Sequence, residues 1–104
     1  MATTSKTLFR GAAATSNTTL YTVPTTSTTT VVTNIAVANT AAATGTFTIN
    51  IDGVAVLSAV PLAENSTAVI DMKQVLDANA TPKTITGSAS ATTINFHISG
   101  VEIV

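Results

Sequence analysis

Thr46-Phe47-Thr48-Ile49-Asn50-Ile51-Asp52-Gly53-Val54-Ala55-Val56-Leu57 is the stretch that decides the fold. In an extended chain Phe47, Ile49 and Ile51 fall on one side and Thr46, Thr48 and Asn50 on the other, the alternation of a half-buried strand. Asp52-Gly53 then supplies two residues that tolerate positive φ, as a tight two-residue hairpin requires, and a second apolar strand follows. The pattern specifies an antiparallel sheet with one buried face.

The same alternation extends outward in both directions. Upstream, residues 18–23 read as a short strand ended by Pro24, with a turn over 24–27. Residues 29–39 form a long strand with Val31, Thr33, Ile35 and Val37 on one face and Val32, Asn34, Ala36 and Ala38 on the other. Downstream, residues 54–60 complete the hairpin, 61–66 form a loop and 67–71 a short strand. Met72, Val75 and Leu76 lie at the i, i+3, i+4 positions of one amphipathic helical turn. Strands at 83–89 and 93–104 follow. In the last, Ile94, Phe96 and Ile98 alternate with Asn95, His97 and Ser99, and Gly100 reads as a bulge that shifts register before Val101 and Ile103. About seven or eight short strands between turn signals, with at most one short helical turn, predict an all-β fold: an antiparallel β-sandwich, jelly-roll-like. The expected core is Ile35, Val37, Phe47, Ile49, Ile51, Val69, Ile94, Phe96 and Ile98.

Composition limits what such a domain can do. A chain of 104 residues is one domain that buries roughly 60–65% of its unfolded surface, enough for one modest core. Charged residues make up only 9%, far below the ~25% of an average soluble domain, and threonine and alanine replace them. A surface so poor in charge loses much of the repulsion that keeps monomers apart, as in proteins that assemble. Lys6, Arg10, Lys73 and Lys83 are scattered and the net charge is −1, so no basic footprint for nucleic acid exists. Without cysteine there are no disulfides, thiolate metal sites or cysteine nucleophiles. Residues 1–11 lack the apolar run of a secretory signal, and no stretch reaches 18 apolar residues, so neither export nor a membrane span is expected. The sequons at Asn17, Asn65 and Asn79 are then expected to stay unglycosylated.

Residues 1–17 read as an N-terminal arm preceding a sandwich domain at 18–104. The arm carries the apolar pair Leu8-Phe9 and the cations Lys6 and Arg10, four residues that form a candidate interface. An extended arm can add a strand to a neighbour's sheet, or Leu8 and Phe9 can belong to the first strand of their own sandwich.

Chemistry is sparse. His97, the single histidine, lies opposite Phe96 and Ile98 in the alternation, with no nucleophile or carboxylate placed beside it. Asp52 belongs to its turn, Asp77 to the end of the helical turn, Asp71 to a strand end and Glu64 to a loop. No pair of carboxylates with aromatic platforms and no calcium-binding loop can be traced. The chain is read as non-enzymatic, with no catalytic residues, metal site or cofactor. The threonine run at 25–30 has no regular repeat and reads as a turn feeding a strand.

Three strings carry a resemblance: Leu20-Tyr21-Thr22-Val23-Pro24 with Val31-Val32-Thr33-Asn34-Ile35 and Asn39-Thr40; Phe47 to Gly53; and Ile85 to Ser90 with Ile94 to Glu102. Together, across about residues 8–102, they resemble short β-rich virion proteins of tailed bacteriophages. The resemblance implies an assembly role with no active site. It suggests a capsid decoration (cement) protein bound to the outer surface of the head, where it stabilises contacts between capsid subunits. It also admits a tail, baseplate or fibre component that is structural or binds a host surface. It implies other virion proteins as partners, the major capsid protein first, a homo-oligomer such as a trimer, and a virion location after assembly in the bacterial cytoplasm. Loops of Thr, Ala, Ser, Asn and Pro lack the aromatic and charged tips of a receptor binder, which favours the structural class.

Overall fold

The computed structural model describes residues 2–104. Eight strands occur among them: β1 (Thr3–Ala12), β2 (Thr18–Thr22), β3 (Thr29–Asn39), β4 (Gly45–Ile51), β5 (Val54–Leu62), β6 (Thr67–Leu76), β7 (Thr84–Ala89) and β8 (Ile94–Ile103). They build two four-stranded sheets, ordered β1-β8-β3-β6 and β2-β7-β4-β5, and every pairing is antiparallel. Apart from the β4–β5 hairpin, each connection carries the chain from one sheet to the other, which is the winding of an eight-stranded jelly roll. The hairpin is as the sequence requires: Asp52 has φ 54° and Gly53 φ 75°, the two left-handed residues of a type I′ turn.

The core lies between the sheets. Val32, Ile35, Val37, Ile94, Phe96 and Ile98 point in from one sheet, and Phe47, Ile49, Ile85 and Ala89 meet them from the other. Phe47 and Phe96 touch edge to face across the gap, with ring centroids 6.1 Å apart and planes at 67°. The buried Asn39 closes one end. Its side-chain amide donates to the carbonyls of Ala43, Leu62 and Ala63, and its Oδ1 accepts from the Ala41 amide, so one side chain holds the β3–β4 and β5–β6 loops together.

Several expectations are corrected. Residues 3–12 are β1, an edge strand of the chain's own sheet paired along β8, so residue 17 is no boundary of the sandwich. Residues 72–76 are extended within β6 rather than helical. The i, i+4 pair Met72 and Leu76 shares a face in a strand as well as in a helix. Val75, which a helix would bury beside them, is 55% exposed. Val69 is 64% exposed rather than in the core, because Ala68 and Ile70 take the inward positions of its strand.

The register shift expected at Gly100 belongs to its neighbours instead. Against β8, β1 slips between Thr7 and Phe9 and β3 between Val32 and Asn34. Thr33 therefore faces outward, and Thr30 and Val32 replace Val31 and Thr33 on the buried side. β8 keeps an unbroken alternation. A Cβ on Gly100 would strike the Val31 carbonyl and lie 2.8 Å from Leu8 Cδ1, which is why glycine stands where both neighbours bulge.

Candidate functional site

The four candidate interface residues do not form one patch. The slip in β1 turns Leu8 into the core at 7% exposure, and Phe9 packs half-buried against the same cluster. Lys6 lies opposite Gly100 and reaches Glu102, with Nζ 3.4 Å from its carboxylate. Lys6 is exposed all the same, and Arg10 faces solvent without an ion pair among the described residues, paired across the strands with His97 on the outer face.

Sequence reasoning missed the polar cluster that Lys6 joins. Glu102 continues the inward series Phe96, Ile98, Gly100, and its Oε2 accepts a 2.5 Å hydrogen bond from the Tyr21 hydroxyl on the opposite sheet. The Tyr21 oxygen is also 2.8 Å from the Thr30 hydroxyl. The cluster links both sheets at the end of the sandwich away from Asn39. Burial, then the hydrogen bond to Glu102 and its negative charge, push the Tyr21 phenol up to about 12, against a smaller downward pull from Thr30. The unbroken parity of 96, 98, 100 and 102 was the available signal.

A second ionic group ties the Asp52-Gly53 hairpin to the loop before β7. Lys83 Nζ lies 2.6 Å from Asp77 and 3.7 Å from Asp52. The hydrogen bond from Lys83 holds the Asp77 carboxyl below its ordinary range, and the same contact raises the Lys83 ammonium. Lys83 is half-buried but the Asp77 carboxylate is solvent-exposed, so the contact positions a loop more than it stabilises the fold.

The surface best suited to a partner is the outer face of the β1-β8-β3-β6 sheet. One row across it runs Arg10, His97, Ala36, Val69; the next begins at Thr7 and runs Ser99, Asn34, Asp71. A shallow trough crosses the sheet where the strands slip register, lined by Ser5, Lys6, Thr7, Thr33, Ser99 and Val101 with Gly100 at its floor. His97 has no carboxylate beside it, and no group of three potential metal ligands occurs among the described residues. The side chains are small and mostly uncharged, which suits contact with another protein surface.

No family model and no curated protein matches the sequence. Solved structures match in fold. A chain of the T13 particle of infectious bursal disease virus aligns over 97% of this chain and 30% of its own, with a TM-score of 0.59 at 12% identity. The jelly roll described here is thus similar to one part of a viral particle protein. A chain of the virus-like particle of the extra small virus of the giant freshwater prawn Macrobrachium rosenbergii aligns over 98% of this chain and 80% of its own, at 12% identity and a TM-score of 0.45. Dimeric latent PorU from Porphyromonas gingivalis aligns over 97% of this chain and 9% of its own, at 12% identity and a TM-score of 0.40. At such identities the likeness is one of fold, and this chain spans under a third of the length of the first of these proteins.

Proposed function

We propose that this chain is a non-enzymatic structural subunit of a virus particle, and more finely a decoration (cement) protein on the outer surface of a tailed-bacteriophage head. The observation that carries the reading is the winding of the two sheets, which aligns over nearly the whole chain with part of a viral particle protein. The surface chemistry agrees with it. A sheet face of Thr, Ser, Ala and Asn bears few charges to repel a neighbouring copy, and short loops connect the strands without a recognition crest. Other virion proteins are the partners, the major capsid protein first, and copies associate with one another, as in a trimer. Weak contacts suffice for such a subunit, because repetition around a shell multiplies them.

Quantitative mass spectrometry of virions purified from cells that carry the gene tests this. Copies in the hundreds per particle are expected. A handful per particle moves the protein to the tail, baseplate or fibre, and its absence from purified particles overturns the reading.

A further inference from the structure

We propose that β6 is a self-complementary edge through which two copies of this chain pair antiparallel about a two-fold axis at Met72. β6 ends its sheet and has β3 as its one strand partner among the described residues, so its other side presents an unpaired ladder of backbone groups. In Val69-Ile70-Asp71-Met72-Lys73-Gln74-Val75 the outward residues are self-complementary about Met72, a carboxylate against an ammonium and a valine against a valine, while the inward pair, Ile70 and Gln74, is not matched. With the axis at Met72, Asp71 of each copy stands opposite Lys73 of the other, and Val69 opposite Val75. The four residues share one face, because Ala68, Ile70, Met72 and Leu76 take the inward positions and the odd-numbered residues are exposed.

The register is specified as well as permitted. Moving the axis to Asp71 sets two aspartates opposite each other, and moving it to Lys73 sets two lysines opposite each other. A slip of one residue turns the outward side chains to the wrong face. Asn34 Nδ2 donates to Asp71 Oδ1 at 3.0 Å and holds that carboxylate on the outer face, while Lys73 makes no ion pair within the chain among the described residues. Val69 and Val75 are 64% and 55% exposed, two of the largest apolar exposures on the molecule. A lone lysine on an edge repels every incoming strand. An aspartate two residues before it, with valines at equal distances on either side, selects a second copy of the same strand. The pairing joins two four-stranded sheets into one continuous sheet, an isologous contact that leaves the other surfaces open to further partners. It does not rest on the virion reading.

The chain has no cysteine, so Met72→Cys introduces one thiol, placed at the axis where facing Cα atoms fall in the ~4.4–6.8 Å range a disulfide needs. Mild oxidation should give a covalent dimer far faster than Val56→Cys on β5, an edge strand of the other sheet. In that background Asp71→Lys or Lys73→Asp alone should cut dimer yield several-fold, and the two together should restore it. Sedimentation equilibrium of the same charge variants without the cysteine reads the equilibrium directly, with folding checked by far-UV circular dichroism. The proposal is overturned if Met72→Cys crosslinks no faster than Val56→Cys, or if association is indifferent to the single reversals. It is equally overturned if the double reversal fails to restore what either single one removes.

Discussion

Tyr21 and Asn39 are the residues through which the two ends of the sandwich are held. Tyr21 is the only tyrosine and there is no tryptophan, so its phenolate absorbance reports on one site. Its pKa of about 12 in the folded chain lies above the ordinary 10.0. The neutral phenol is therefore favoured by folding. The stability it contributes is fully present below pH 10 and is lost as pH rises from there through about 12. A spectrophotometric titration should show no phenolate near pH 10 in the native protein and an ordinary titration in denaturant; a native midpoint near 10 would contradict the buried contact with Glu102. Asn39→Ala removes the donor for three loop carbonyls and the acceptor for the Ala41 amide. It should cost about 1–3 kcal/mol in chemical denaturation, since buried polar groups left unpaired carry their full desolvation penalty.

At the scale of the element, β1 matters most, because it decides whether residues 2–11 are an attachment arm or part of the fold. Their pairing with β8, with Leu8 in the core, predicts that deleting residues 2–11 lowers the melting temperature sharply and leaves β8 as a new edge. An unchanged melting temperature would restore the arm. The sequence foretold the strands in which one parity is strongly apolar: β4, β8 and the Asp52-Gly53 hairpin could be read directly, and Phe47, Ile49, Phe96 and Ile98 are buried as expected. It was ambiguous wherever tertiary pairing set the outcome. Nothing in Thr3–Ala12 alternates cleanly, since Leu8 and Phe9 are successive residues that both reach the core only because the strand slips against β8. Met72 to Leu76 fits two periodicities, and β3 selected the extended one. Of the candidate interface, the charge on Lys6 was legible but its partner was not, because Glu102 lies 96 residues away.

The whole molecule is wound so that its last strands occupy the middle of its sheets. β8 lies between β1 and β3, and β7 between β2 and β4. Thr3 pairs with Ile103, and so does Thr29. Neither sheet is then complete until nearly the whole chain is available, and each long loop must close before its pairing is rewarded. Folding should fall in the ms–s range typical of two-state proteins dominated by distant pairings, as followed by stopped-flow Tyr21 fluorescence. Removing residues 94–103 should be far more damaging than removing β1, because it takes the central strand from one sheet and Ile94, Phe96 and Ile98 from the core. Phe96→Ala alone should cost ~3–5 kcal/mol, a large share of the ~5–15 kcal/mol available to a domain. The shortened chain should show neither a cooperative thermal transition nor a native strand signal by circular dichroism. Cooperative melting without β8 would mean that the remaining strands form a self-sufficient sheet, and the dependence of the sandwich on its central strands would have to be abandoned.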